Sequence, residues 1–369
     1  MQFIKVSLPV VGEEEVSAVR DVILSGKYIS GEKVMQFEQK FSEYINVKFS
    51  AAVNSGTAAL HVALACLDVG QGDEVIVPPM TFMSTITAVL HQNATPIFAD
   101  IDKDSFCICP DDFERKITEK TKAVIPVHLY GNSAQMDKIM EIANKHGIYV
   151  VEDCAQAHGT EYKEKKVGSI GHIGTFSFFA TKHITTGEGG IITSNNEEWI
   201  DKAKIIRSHG MINRDEHVYL GYNYRMTEIA AAMGLVQLKK IDDFNHKRIN
   251  NSLCILNSLK ESDQSWFIIP KLNQYIKHTF FWCPLIIKNN IDTTLVVKKL
   301  LQKGIETRQR YQKPLNTQKI LEKVNPDYKH IMLSNAEFFA GKIIGLPNHP
   351  KLTDDNIEYI IESVKNLFN

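Results

Sequence analysis

Cysteine is sparse in this 369-residue sequence: Cys66, Cys107, Cys109, Cys154, Cys254 and Cys283 are all there are. Only Cys107 and Cys109 lie close together, and their C-x-C spacing is neither a zinc nor a thioredoxin signature. The six read as free thiols of a reducing compartment. An excess of charge of one sign is also missing. Lys plus Arg total 42 against 43 Asp plus Glu, a formal net charge of -1, which gives neither nucleic acid nor an anionic membrane a field to hold. No apolar run approaches the ~20 residues of a spanning helix. The opening MQFIKVSLPVVGEEE meets three glutamates too early for a signal peptide, so the chain is expected to be cytoplasmic. His128, His146, His158, His172, His183 and His209 show no H-E-x-x-H spacing, and no metal site is expected. Gly168, Gly171 and Gly174 are spaced unlike G-x-G-x-x-G and precede a strand pattern rather than a helix, which argues against a dinucleotide fingerprint. Internal repeats and low-complexity linkers are missing as well.

What is there is ordinary globular composition, 44% hydrophobic and 23% charged, on a chain long enough for two domains. Gly12 to Glu15 open a helical pattern through Val16, Val19, Val22 and Ile23 that stops at Ser25-Gly26. A second helix over 32–45 places Val34, Phe37, Phe41 and Ile45 on one face. Short apolar runs then alternate with helices. The runs are Phe49–Val53, Glu74–Val77, Pro96–Ala99, Ala123–His128 and Ile148–Val151, and the helices Ala58–Cys66, Ser84–His91, Pro110–Ile117 and Gln135–His146. Such alternation predicts a mostly parallel sheet covered on both faces, an α/β domain. Strands over Ile173–Phe179 and Gly190–Thr193, a helix over 197–207 and a small-residue helix over 226–240 complete a large domain, 1–245. Beyond it the composition shifts toward Lys, Asn and Ile. A helix, a strand (Thr279–Ile287), a helix (Thr294–Lys303), a long loop and a last helix (Asp354–Phe368) predict a smaller α+β domain, 246–369.

Three segments could carry chemistry. Asn54-Ser55-Gly56-Thr57 follows a strand and opens a helix. A helix N-terminus with a glycine for close approach suits a phosphate, although a simple capped turn reads from the same residues. Val150 to Gln156 ends a strand in Glu152 and Asp153, where open α/β sheets bind ligands. A carboxylate there suits a metal, a ribose or a protonated ring nitrogen, and equally a helix cap. In the third, Lys182 ends an aromatic strand and precedes Thr185-Thr186-Gly187-Glu188-Gly189-Gly190. A desolvated lysine has a lowered pKa and can condense with a carbonyl, and the glycines would let the backbone curl around a bulky group. A surface lysine is the alternative.

Together these segments resemble the DegT/StrS family of nucleotide-sugar aminotransferases, which use pyridoxal 5'-phosphate (PLP) on the type I fold of PLP-dependent transferases. The resemblance runs from Ser25-Gly26-Lys27-Tyr28-Ile29-Ser30-Gly31 through Asp73 to Pro78, Val151 to Gly159 and Ser177 to Gly190, and on to Gly221-Tyr222-Asn223-Tyr224-Arg225-Met226. The Thr185 to Gly190 run is similar to that of GDP-perosamine synthases. The resemblance implies that Lys182 holds the cofactor covalently and shuttles the proton, and that Asp153 keeps the ring nitrogen protonated. It further implies Phe82 against the ring, Gln156 near the 3'-oxygen, and Gly56, Thr57 and Ser177 on the phosphate. Asn223 would reach the phosphate of a partner subunit, which implies a homodimer with a shared site. His183, Arg308 and Tyr311 are the expected substrate contacts, in a loop that also offers Arg310 and Lys313 to the pyrophosphate of the sugar nucleotide. His172, His183 and Asn316 depart from the family pattern, and leave the sugar undetermined. The expected reaction converts a nucleotide-linked keto-deoxysugar, of the 4-keto-6-deoxyhexose type, to an amino sugar with L-glutamate as donor. A 3-keto sugar, a small non-nucleotide ketone and a PLP-binding regulator without turnover are the alternatives.

Overall fold

The computed structural model describes residues 3–262 and 264–368. Its centre is a seven-stranded sheet in the order Phe49–Val53, Gly190–Ser194, Ile173–Ser177, Tyr149–Asp153, Thr121–Val124, Glu74–Val77, Thr95–Phe98. Every pairing from Ile173–Ser177 to Thr95–Phe98 is parallel, whereas Gly190–Ser194 is antiparallel to both its neighbours. Helices on both faces explain why the strands read as unbroken apolar runs: Ala51, Ala52 and Val53 are fully buried, as are Val75, Ile76 and Val77. One strand stops at Val124, short of the expected His128. Pro126 has no N–H for the ladder, and the path resumes as a bridge between Val127 and Asp153. The Asp153 N–H donates to the Pro126 carbonyl at 2.9 Å and the His128 N–H donates to the Asp153 carbonyl at 3.0 Å. This fixes the end of the strand that carries Asp153.

The glycines set aside as a false fingerprint have a packing explanation. A Cβ on Gly168 would meet the Phe176 ring at 2.3 Å, and one on Gly174 would meet the Gly168 carbonyl oxygen at 2.4 Å. The turn is held from below by the buried Glu152 carboxylate, which accepts the N–H groups of Gly168, Ile170 and Gly171 at 2.9, 2.8 and 2.6 Å.

Helix Glu32–Ile45 buries the expected Val34, Phe37, Phe41 and Ile45, but helix Glu13–Ser25 leaves Val16 and Ile23 about half exposed. Small residues of helix Glu228–Lys239 also serve the protomer's own core. A Cβ on Gly234 would meet the Phe37 ring at 2.9 Å, and the helix packs on both N-terminal helices.

The second sheet is antiparallel, in the order Phe267–Ile268, Cys283–Ile287, Ile343–Leu346, Arg308–Gln309. Two of these strands, with helices Lys319–Val324 and Ser334–Phe339, lie in what the sequence reads as a long loop. A four-residue apolar run carries no periodicity by which to recognise a strand. The expected strand from Thr279 begins only at Cys283. The Thr279 and Phe281 N–H groups donate instead to the Gly131 and Tyr130 carbonyls at 3.0 and 2.8 Å, tying this segment to the helical turn Leu129–Gly131. Helix Ile241–Lys260 crosses the expected division at 245/246. Its Ile241 and Phe244 pack in the larger hydrophobic cluster, and Ile255, Leu256 and Leu259 in the smaller one, which also takes in Ile4. No helix among the described residues is long and apolar enough to cross a membrane.

Candidate active site

Beyond the carboxyl ends of the parallel strands lies a cavity of about 350 Å³, where open α/β sheets bind ligands. Helix Gly56–Cys66 begins at one end of it, with Ser55 as N-cap accepting the Ala58 N–H at 3.1 Å. The first N–H groups of a helix have no intrahelical partner and face an anion favourably. Gly56 is required by contact, because a Cβ there would meet the Ser177 Cβ at 2.6 Å. Thr57 Oγ1 lies 2.7 Å from Ser84 Oγ. Hydroxyls of Thr57, Ser84 and Ser177 thus gather around the helix start.

Asp153 lines the cavity floor at the end of its strand and is 5% exposed. Its Oδ1 accepts the Ala155 N–H at 3.1 Å, and its Oδ2 accepts the Thr85 hydroxyl at 3.0 Å. Burial raises its pKa above the usual carboxylate range, against these hydrogen bonds and the nearby Lys182 charge. A buried carboxylate held at such a cost is matched to a cation in the cavity.

Lys182 enters the same cavity from the turn after strand Ile173–Ser177. Burial lowers its pKa to about 8, with Asp153 pulling the other way and Arg310 reinforcing the fall. Its Nζ sits 4.9 Å from the centre of the Phe281 ring. Two of the three glycines of its loop serve the protein's own contacts. A Cβ on Gly190 would meet the Ser55 carbonyl oxygen at 2.3 Å, and one on Gly189 the Thr186 hydroxyl at 2.3 Å, so they admit protein backbone and side chain.

Phe82 lines the opening with 57% of its surface exposed, unlike the core phenylalanines. Gln156 is clamped: its Oε1 accepts the Tyr130 N–H at 3.2 Å and its Nε2 donates to Tyr311 Oη at 3.1 Å. Burial pushes the Tyr311 hydroxyl up to about 12, so it stays protonated. The structure therefore brings together Gly56, Thr57, Phe82, Asp153, Gln156, Ser177, Lys182 and Tyr311.

Three expected site residues lie elsewhere. His183 is 2% exposed and does not line the cavity. Its ring packs 5.3 Å from His158 and 5.7 Å from Phe281, and burial drives its pKa well below the usual value. Arg308 is also outside, paired with Glu306 at 3.0 Å; Arg310 lines the cavity in its place. Asn223 is exposed on a surface segment bridged to Ser208, its carbonyl accepting Asn54 Nδ2 at 3.3 Å, and is absent from this protomer's cavity. Asn316, placed by the sequence in the substrate-proximal stretch, is buried and donates to the Tyr328 carbonyl at 3.0 Å. Sequence reasoning passed over Thr85, Tyr130, Phe281 and Trp282; only the run Phe280-Phe281-Trp282 carried a signal, an aromatic cluster at the head of a strand.

Among the described residues His128, Glu152 and Cys154 are close enough to share a metal ion. Their groups are occupied, however: His128 Nδ1 accepts the Ala134 N–H at 3.2 Å, leaving Nε2 to donate to Glu152 at 3.0 Å.

A lysine amine, a buried carboxylate, a helix N-terminus ringed by hydroxyls and an exposed aromatic fit PLP, whose carbonyl, ring nitrogen, phosphate and ring face need these four partners. The comparisons agree. The DegT/DnrJ/EryC1/StrS aminotransferase family model matches residues 9–365. The GDP-perosamine synthase of Escherichia coli O157:H7 is 36% identical over 373 residues, covering 100% of both chains. PseC of Helicobacter pylori, an aminotransferase involved in the biosynthesis of pseudoaminic acid, superposes with a TM-score of 0.93 at 30% identity, over 100% of this chain and 99% of that one. Spr1654 of Streptococcus pneumoniae in its PLP form gives 0.92 at 30% identity, over 99% and 98%. The chain belongs to the DegT/DnrJ/EryC1/StrS family and is a PLP-dependent sugar aminotransferase.

Proposed function

We propose that the protein transfers the amino group of L-glutamate to a nucleoside diphosphate 4-keto-6-deoxyhexose, giving the 4-amino sugar and 2-oxoglutarate. The observation that carries this reading is Lys182 and Asp153 facing one cavity whose far end is a helix N-terminus. The 4-keto position is supported by the Thr185 to Gly190 run and by the likeness to a GDP-perosamine synthase.

PLP, when bound, supplies an electron sink for the carbanion formed at the substrate carbon. The protein's residues do the rest. Asp153 holds the proton on the ring nitrogen, since a cation beside it relieves the burial penalty that raises its own pKa. Lys182, with a pKa near 8, gives a neutral amine within reach of physiological pH and carries the proton to and from the substrate carbon. Gly56, Thr57 and Ser177 would hold the phosphate, Phe82 would pack on the ring, and Gln156, locked by Tyr130 and Tyr311, would face the 3'-oxygen.

The protein acts as a homodimer in this reading. Val16, Ile23, Leu24, Tyr28 and Ile29 leave an apolar surface at the N-terminal helix, with Leu24 78% and Ile29 72% exposed, which a second copy would cover. Asn223 would then reach the partner's phosphate site. Incubation with glutamate and a panel of nucleotide keto-sugars, followed by mass spectrometry, tests the reaction. Amination only at C3 rejects the regiochemistry, and turnover of small ketones alone rejects the substrate class. Mixed Lys182→Ala and Asn223→Ala chains should regain activity after subunit exchange; none regained rejects the shared site.

A further inference from the structure

Four charged side chains line the cavity: Asp153, Lys182, Glu188 and Arg310. The first two are matched to the cofactor. Glu188 carries the wrong sign for an anion. Arg310 is left over, a guanidinium open to the cavity with no ion-pair partner among the described residues. Its neighbour Arg308 is spent on Glu306, and Lys313 does not line the cavity.

The backbone of Arg310 is anchored from both domains. Tyr130 Oη donates to its carbonyl at 2.6 Å, and its own N–H donates to the Ile343 carbonyl at 3.2 Å. The next residue, Tyr311, is held by Gln156 at 3.1 Å. A side chain on so fixed a backbone is pre-organised rather than a loose surface arginine.

We infer that Arg310 binds the α-carboxylate of the amino donor, an L-amino acid, beside Lys182; this rests on the aminotransferase reading above. Size and connectivity separate this anion from the other candidate, the pyrophosphate of the sugar nucleotide. At about 350 Å³ the cavity is at the small end for ligand pockets, which run from about 300 to 1,000 Å³, so it takes the cofactor and a small reactant. The α-carboxylate is bonded directly to the carbon whose proton Lys182 exchanges. The pyrophosphate is separated from the keto carbon by the sugar ring and belongs farther out, toward the outer groove that Arg310 borders together with Arg308 and Gln312. An arginine also matches a carboxylate with two parallel hydrogen bonds. Its field is felt at Lys182, where it helps hold the amine neutral.

The two half-reactions provide the test, followed separately by the cofactor's absorbance. For Arg310→Gln, KM for L-glutamate should rise by about tenfold to a hundredfold, the range for losing hydrogen bonds to a charged group. L-alanine, which has only the α-carboxylate, should lose as much. The second half-reaction, from the pyridoxamine form with the keto-sugar nucleotide, should change by less than about threefold. Arg310→Lys should recover part of the loss. Calorimetry with 2-methylglutamate, which cannot lose an α-proton, should show the same weakening without turnover. Unchanged glutamate and alanine KM values overturn the inference, as does a loss confined to glutamate or an equal loss in both half-reactions. A loss confined to the nucleotide sugar reassigns Arg310 to the pyrophosphate. A wild-type protein that no α-amino acid converts to the pyridoxamine form overturns the donor reading, and the inference with it.

Discussion

Strand ends and a helix start build one wall of the cavity, and the loop after Gln309 builds the other. On the first wall Asp153 and Ser177 are buried, Gly56 is in steric contact with its neighbour, and Lys182 sits in the turn after the strand that ends at Ser177. On the second, Arg310 is exposed; Tyr130 donates to its carbonyl, and Gln156 donates to the hydroxyl of the neighbouring Tyr311. The first wall can hold a permanent group, because parallel strands and covering helices leave its residues no alternative positions. The second can meet reactants that come and go, since its charge is not committed to any protein group.

Lys182→Ala should separate the walls most sharply. Turnover should vanish because no neutral side chain replaces an amine that condenses with a carbonyl, while PLP remains held by the phosphate end. Absorbance after gel filtration reports both, and transamination near the wild-type rate would remove Lys182 from the mechanism. In wild-type apoprotein, covalent capture of PLP should accelerate as pH rises toward about 8 and level off above it. The neutral amine is the reacting form and its fraction grows until pH passes the lowered pKa.

Asp153→Asn should lower kcat by about two to three decades, the usual scale for losing one pre-organised electrostatic partner, with the fold intact by circular dichroism. An unchanged kcat would reduce Asp153 to a structural cap. Next comes Gly56→Ala. Its methyl group would overlap Ser177 at 2.6 Å, so we expect a stability loss of about 1–3 kcal/mol and weaker PLP retention, measured by denaturant unfolding and equilibrium dialysis. Wild-type retention would show that the phosphate end tolerates displacement and is no more rigid than the loop.

The smallest effect belongs to Arg308→Ala. An exposed arginine paired with Glu306 contributes little, and KM values for both substrates should move by less than about threefold. A larger rise for the nucleotide sugar would return Arg308 to the substrate contacts and extend the site beyond the cavity.

The first wall was legible because its residues sit at the boundaries of elements. The end of strand Tyr149–Asp153, the start of helix Gly56–Cys66 and the turn after Ser177 are each marked by neighbours in sequence, and the strand containing Asp153 is recognisable from Val150-Val151 alone. The second wall was misread where a position's facing depends on distant partners. In an extended strand Arg308 and Arg310 share a face, so the sequence offers no reason to separate them. The strand ends at Gln309, and Tyr130 then holds the Arg310 carbonyl. His183 was misread similarly: adjacent to Lys182, it turns into the core beside His158.

The sequence by itself determined the alternation of strands and helices, the family, and through it the cofactor, because apolar periodicity and element-end motifs are local and survive without knowledge of the rest of the chain. The tertiary structure alone decided which arginine enters the cavity and where the short strand Ile343–Leu346 pairs. It also decided that Gly234 and Gly190 serve internal contacts with Phe37 and Ser55. Each of those depends on a contact between residues far apart in the chain, formed only once the chain has folded around the cavity.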